Sequence, residues 1–115
     1  MTIIHSVHRQ YVHVRIKGDL DLKTAEPLRD SLDQLIDRYG DKDLVLDLED
    51  VPFIDSSGLG VVLGRYRRLT QQNRSLRLEG VRPSVKVVLE LAGIDSIISI
   101  GESPEGRPTT PQPQA

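Results

Sequence analysis

The stretch DLVLDLEDVPFIDSSGLGVVLGRYRRL (residues 43–69) contains the signals of a strand, a turn and a helix in direct succession. Leu44, Leu46 and Leu48 share one face of the first part, which is typical of a β-strand that packs on a core. After an interruption at residues 50–52, apolar residues recur at helical spacing and predict a helix over residues 57–72. This stripe consists of Leu59, Val62, Leu63, Tyr66 and Leu69.

Before this unit, the sequence predicts two strands and one helix. Strands are expected around residues 3–7 and 12–16, because β-branched residues are abundant and alternate with polar ones. The helix is expected to begin at an N-cap, Thr24, with Pro27 in its first turn and Gly40 at the C′ position.

After this unit, SLRLEG (residues 75–80) predicts a strand and SIISI (residues 96–100) predicts a last edge strand. Between them we expect a helix with Pro83 at N1 and Gly93 at C′. The resulting order β-β-α-β-α-β-α-β predicts an α/β fold, with helices packed on a mixed sheet that is parallel except at its N-terminal edge.

The length of 115 residues predicts one domain, over residues 1–100. The remaining segment, GESPEGRPTTPQPQA (residues 101–115), has four prolines and no apolar anchor. A segment of this composition cannot bury enough apolar surface to fold, so we expect it to be disordered.

Several classes of protein are disfavoured by composition. There is no cysteine, which excludes disulfides and thiolate chemistry, and no apolar run long enough for a membrane span. The first residues do not form a signal peptide, and there is no dense basic stripe for nucleic acid. We therefore expect a cytoplasmic protein that binds neither membrane nor nucleic acid.

Metal and nucleotide sites are also not expected. His5, His8 and His13 are the only histidines, and no carboxylate stands at a ligand spacing from them. The run GLGVVLG (residues 58–64) is one residue too long for the dinucleotide fingerprint, and no phosphate-binding loop motif occurs. We predict no cofactor.

Ser56 and Ser57 leave three interpretations open, namely helix cap, catalytic nucleophile and phosphate acceptor. No histidine follows them, so the hydrolase order of serine, acid and histidine is absent. A helix cap requires only one hydroxyl, so the second serine is free for another role. A phosphate there would lie at the positive end of the helix dipole, but also beside Asp55.

Three segments together resemble the STAS-domain anti-sigma factor antagonists. They are GDLDLKTAEPL (residues 18–28), VLDLEDVPFIDSSGLGVVLGRYRRL (residues 45–69) and VRPSVKVVLELAGI (residues 81–94). DSSGLG is the most specific of the family's motifs, and LGRY after it is similar to the sporulation branch, which antagonises the anti-sigma-F factor.

The resemblance implies a regulator and not an enzyme. In the family, the unphosphorylated antagonist binds an anti-sigma factor, which is also a serine kinase that uses ATP, and thereby releases the sigma factor. Phosphorylation reverses the binding, and a PP2C-type phosphatase removes the phosphate. By this resemblance the acceptor is Ser56, and Ser57 is left as the helix cap.

The resemblance also implies a surface for the kinase around the acceptor. Its residues are Asp21, Asp55, Ser57, Gly58, Leu59, Gly60 and Arg65. The alternatives are a STAS regulator of a general stress sigma pathway and, with less support from the residues, a small serine hydrolase.

Overall fold

The computed structural model of the protein describes residues 1–103. Its elements are β1 (Thr2–Val7), β2 (Tyr11–Lys17), α1 (Leu22–Arg38), β3 (Asp43–Asp50), α2 (Ser56–Gln71), β4 (Leu76–Val81), α3 (Pro83–Leu91), a short 3₁₀ helix (Ile94–Ser96) and β5 (Ser99–Glu102). The predicted order of strands and helices is therefore confirmed. None of the helices in this part of the chain is long and apolar enough to cross a membrane.

The strands form a single five-stranded sheet in the order β1-β2-β3-β4-β5. β1 and β2 form an antiparallel hairpin, and all other neighbours are parallel. The predicted mixed sheet with its antiparallel N-terminal edge is thus confirmed. Because right-handed crossovers join the parallel strands in sequence order, the helices belong on the same face of the sheet.

The core lies between that face and the helices. Alternate residues of the central strands contribute Val12, Val14, Ile16, Leu44, Leu46, Leu48, Leu76 and Leu78, all buried in one cluster with apolar residues of the three helices. The other face of the sheet carries mostly polar side chains, such as His13 and Asp47, which lie 3.3 Å apart. This arrangement explains the alternation in the sequence.

α1 begins one turn earlier than predicted. Its N-cap is Asp21, whose carboxylate accepts hydrogen bonds from the N–H groups of Lys23 and Thr24 at 3.0 and 3.1 Å. Thr24 is not the cap; its hydroxyl accepts from the Asp21 N–H at 3.0 Å and completes a capping box. Pro27 consequently lies inside the helix and not in its first turn.

The C-terminal part of the sheet also differs from the prediction. Pro83 at N1 of α3 is confirmed, and Gly93 has the left-handed backbone expected at C′, with φ of 76°. However, residues 96–98 are not strand, and β5 includes Gly101 and Glu102, which the prediction places in the tail. The Ser103 N–H still donates to the Val81 carbonyl at 2.8 Å. The rest of the expected disordered tail, residues 104–115, lies outside the described residues.

Candidate functional site

The predicted site lies where β2 and β3 run into the loops before α1 and α2. Both strands are parallel, so both loops leave the sheet at the same edge. Leu20 joins the two loops, because its N–H donates to the Phe53 carbonyl at 2.9 Å and its carbonyl accepts from the Asp55 N–H at 3.1 Å. Leu20 and Ile54 pair in a short parallel bridge and are both buried. The beginnings of the two helices are therefore held side by side.

The N-cap of α2 is Asp55, and the prediction that Ser57 caps this helix is wrong. The Asp55 carboxylate accepts hydrogen bonds from the Ser57 N–H at 2.8 Å and from the Gly58 N–H at 3.2 Å. Asp caps a helix as well as Ser does, and its charge also favours the positive helix end. α2 begins at Ser56, so both serines lie in its first turn.

Neither serine hydroxyl has a structural task within residues 1–103. Ser56 is exposed and Ser57 is half-buried, and neither hydroxyl makes a hydrogen bond to another described residue. The assignment of one serine to the cap and one to chemistry therefore does not hold. Accessibility separates the two hydroxyls instead, and it favours Ser56 as the group that a second protein reaches.

Gly58, in the first turn of α2, packs closely against Leu20 in the loop before α1. A Cβ atom at this position would lie 2.4 Å from the Leu20 carbonyl oxygen, which is a severe clash with the backbone. At Gly60 and Gly64, by contrast, nothing lies within 4 Å of a Cβ atom built at either position. Of these three glycines, only Gly58 is thus required by the fold itself.

A groove of about 300 Å³ runs beside this turn, between the N-terminal halves of α1 and α2. Its lining consists of Leu22, Ala25, Glu26, Arg29, Ser57, Gly60, Val61 and Arg65. Three of the residues expected at the kinase surface (Ser57, Gly60 and Arg65) therefore meet in one groove. Leu59 is half-buried and packs against the core, and the Asp21 carboxylate is engaged in its own cap.

The three histidines, which are the other candidates for a chemical role, contact residues other than the serines. His13 pairs with Asp47, and His8 stacks on Tyr11 with ring centroids 4.5 Å apart. His5 lies in β1 and faces the Tyr39 ring at 6.3 Å. No group of three or more metal-ligating side chains was found among residues 1–103. Within residues 1–103, none of the three histidines makes a hydrogen bond to Ser56 or Ser57.

Comparison with known proteins shows which family has this arrangement. The STAS domain family matches residues 2–106, which is nearly the whole chain. This chain belongs to the STAS domain family. Among the relatives of this STAS domain, an anti-sigma F factor antagonist of Paenibacillus polymyxa is 38% identical over 93 residues, covering 81% of this chain and 80% of the relative. An anti-sigma-B factor antagonist of Bacillus subtilis (strain 168) is 34% identical over 95 residues, covering 83% and 85%.

Solved structures agree with this assignment. The anti-sigma factor antagonist SpoIIAA in its unphosphorylated form superposes on the STAS domain with a TM-score of 0.74 at 28% identity, covering 90% of this chain and 91% of that one. The phosphorylated form of the Bacillus cell fate determinant SpoIIAA gives a TM-score of 0.67 at 27% identity, covering 90% and 95%. The predicted STAS fold is therefore confirmed.

Several groove residues of this STAS domain were missed from the sequence. Leu22, Ala25, Glu26 and Arg29 come from α1 and were not assigned to the site. The sequence does carry a signal for Leu22, because it is a large apolar residue outside the buried face of α1, and in the structure it is 77% exposed. That buried face consists of Leu28, Leu32, Leu35 and Ile36. The other three groove residues of α1 carry no such signal, since only the packing of α1 on α2 brings them to Ser57.

Proposed function

We propose that this STAS domain is an anti-sigma factor antagonist that is switched off by phosphorylation of Ser56. One observation carries the proposal: Ser56, the first residue of α2 in the motif DSSGLG, presents an exposed hydroxyl that bonds to no described residue. The names of the relatives support the regulatory class, and a structural neighbour has been solved in both an unphosphorylated and a phosphorylated form.

In the proposed cycle, the unphosphorylated protein binds an anti-sigma factor and displaces its sigma factor. The anti-sigma factor acts as a serine kinase: the Ser56 hydroxyl oxygen forms a bond to the γ-phosphorus of ATP, the bond to ADP breaks, and the hydroxyl proton is lost to a base. A PP2C-type phosphatase hydrolyses the new ester. We propose that this cycle takes place in the cytoplasm.

The structure supports a switch at Ser56 because a phosphate there changes the surface more than the fold. A phosphoryl group adds between one and two negative charges at neutral pH. It would lie at the positive end of α2, which favours an anion, but beside the Asp55 carboxylate, which opposes it. The core residues nearby, Leu20 and Ile54, are buried, whereas the Ser56 side chain is exposed, so we expect the phosphate to leave the core packing intact. A partner complementary to the bare hydroxyl would be repelled.

The test is phosphorylation by the purified anti-sigma factors encoded in the same genome, with ATP, followed by mapping of the phosphosite by mass spectrometry. We expect phosphate on Ser56 in the wild type and in Ser57→Ala, and none in Ser56→Ala. Ser56→Ala should still bind the anti-sigma factor and release sigma, whereas Ser56→Asp should bind poorly. Phosphate on Ser57 alone, or wild-type affinity in Ser56→Asp, would contradict the proposal.

The sigma factor is the finer question, and the sporulation branch is our proposal. The anti-sigma F antagonist shares 38% identity with this chain, against 34% for the anti-sigma-B antagonist from B. subtilis. Affinity capture on immobilised Ser56→Ala protein should retain an anti-sigma factor of the sigma-F class and release its sigma factor. Retention of a general stress anti-sigma factor would establish the alternative pathway. The hydrolase alternative predicts that a serine-directed fluorophosphonate probe labels Ser56, and we expect no labelling.

A further inference from the structure

The groove between α1 and α2 contains a cation that is incompletely paired. The Arg65 side chain is 13% exposed, and its Nε lies 3.2 Å from Asp33 Oδ1. Even so, neither Nε nor Nη1 of Arg65 makes a hydrogen bond to any described residue. The same Asp33 oxygen accepts a hydrogen bond from Arg68 Nη1 at 3.1 Å. One carboxylate oxygen therefore serves two guanidinium groups, and Arg65 is short of acceptors.

The charged residues that line the groove carry one net positive charge, since they are Glu26, Arg29 and Arg65. Asp30 and Asp33 face the two arginines from outside the lining. Arg29 is exposed and pairs with Asp30 at 3.6 Å, while Arg65 lies deeper. A carboxylate that enters from outside would meet a guanidinium with little competing water, which is the setting in which a charge-assisted hydrogen bond is strong.

The walls of the groove are aliphatic and its mouth is open. Leu22, Ala25 and Val61 line it, and Leu22 is 77% exposed. Gly60 also lines it, with no atom within 4 Å of the position of a Cβ. Glycine inside a helix is less stable than alanine, and no contact within the described chain requires a glycine at this position. The space above Gly60 admits a side chain with an apolar stem.

We propose that the anti-sigma factor places an acidic side chain in this groove, with its methylene stem against Leu22 and Val61 and its carboxylate on Arg65. The inference rests on the proposed function, because it specifies how the kinase contacts the surface around Ser56. Ser57 lines the groove and is adjacent to Ser56, so a kinase that reaches the acceptor hydroxyl must also cover the groove.

The first experiment compares two arginines that share one carboxylate. Arg65→Gln and Arg68→Gln both remove a partner of Asp33, but only Arg65 lines the groove. By calorimetric titration with the purified anti-sigma factor and ADP, we expect Arg65→Gln to bind at least tenfold more weakly and with a smaller dependence on salt. Arg68→Gln should stay within threefold of wild type, and thermal unfolding of both variants reports any loss of folded protein.

The second experiment identifies the acidic side chain. Arg65→Glu should abolish binding, and among single Asp→Lys and Glu→Lys variants of the kinase, one should restore it. In parallel, Gly60→Ala should weaken binding because its methyl group enters the groove, whereas Gly64→Ala, also open but outside the groove, should not.

The outcomes separate this inference from the proposed function. Equal affinities of Arg65→Gln and Arg68→Gln for the anti-sigma factor would overturn the inference. So would wild-type affinity of Arg65→Gln, because it would mean that an apolar group and not a carboxylate occupies the groove. Failure of every kinase variant to restore Arg65→Glu would overturn it too. If wild-type protein neither binds an anti-sigma factor nor accepts phosphate on Ser56, then the proposed function fails and the inference falls with it.

Discussion

Gly58 in the first turn of α2 is in contact with Leu20 in the loop before α1, and a single methyl group on Gly58 would lie 2.4 Å from the Leu20 carbonyl oxygen. The same methyl would lie 2.8 Å from Leu20 Cβ and 2.9 Å from Ile54 Cγ1. The Leu20 oxygen also accepts the Asp55 N–H, so the contact places the cap of α2 against the loop before α1. The position of Ser56 therefore depends on the absence of a side chain two residues later.

The first prediction is that Gly58→Ala destabilises the protein and displaces the acceptor turn. Because the clash is with buried backbone, we expect a loss of about 2–3 kcal/mol in the free energy of unfolding, measured by urea denaturation. Gly60→Ala and Gly64→Ala are the matched controls. Both positions are open, so each should gain about 0.5–1 kcal/mol from helix propensity. A Gly58→Ala protein as stable as these two would show that the loops can separate at no cost.

The second prediction concerns the cap of α2. Asp55→Ala removes the acceptor of two N–H groups and should lower the free energy of unfolding by about 1 kcal/mol. Asp55→Asn keeps a cap oxygen and should cost only part of this. Ser57→Ala should leave stability unchanged, because its hydroxyl bonds to no described residue. If Ser57→Ala lowered the free energy of unfolding as much as Asp55→Ala, Ser57 would be the N-cap after all.

The strands and helices could be predicted from the sequence because alternation and helical spacing are local patterns. The caps could not be chosen, since Asp21 and Thr24 both suit an N-cap, and so do Asp55, Ser56 and Ser57. Only the folded structure shows which of these side chains accepts hydrogen bonds from the N–H groups of the first helical turn. Gly58 could not be told from Gly60 and Gly64 for a related reason: its tight contact is with a residue far away in the chain.

The groove illustrates the same limit at a larger scale. Its two walls come from α1 and α2, whose groove-lining residues are separated in the sequence by the whole of β3. Neither helix carries a pattern that specifies where the other one crosses it. Arg65 could be placed near the acceptor from the motif, but its shared carboxylate, Asp33, lies on the other helix and became evident only from the fold.

The third prediction is a pH dependence of stability from Asp50. Arg15 Nε donates to Asp50 Oδ2 at 2.9 Å, and this hydrogen bond holds the pKa of Asp50 below its ordinary value of 3.8. Because the folded pKa is the lower one, the pair contributes stability above the unfolded pKa and loses it as the pH falls through the folded pKa. Arg15 is exposed and Asp50 is half-buried, with a third of its side chain accessible to solvent, so the contribution is small and screened by salt.

Urea denaturation of wild type and Asp50→Asn at a series of pH values tests this. The wild type should be the more stable at pH 7, and the two curves should converge as the pH falls below 3.8. Asp19→Asn is a suitable control, since Asp19 is exposed and forms no side-chain ion pair within residues 1–103. Divergence of the Asp50→Asn curve from wild type towards low pH would reverse the sign and contradict the assignment.

The last prediction concerns Arg74, which lies at the C-terminal ends of α1 and α2 and which we expect to stabilise the protein through its hydrogen bonds. It is 9% exposed and donates to the carbonyls of Lys42 and Tyr39 and to the Gln72 amide oxygen, each at 2.7 Å. These bonds join the end of α1, the turn into β3 and the end of α2. Burial is the main influence on this guanidinium and lowers its pKa, and the three hydrogen bonds offset part of the cost of taking its charge out of water.

Arg74→Lys should therefore be strongly destabilising although it conserves the charge. An ammonium group cannot reproduce the planar fork that reaches three acceptors, and the carbonyls left without a donor add their own cost. We expect a loss of about 3 kcal/mol for Arg74→Lys and a similar loss for Arg74→Met by urea denaturation. Arg67→Lys, on an exposed arginine of α2 without an ion pair in the described residues, should change nothing. Wild-type stability in Arg74→Lys would mean that charge alone is what this position requires.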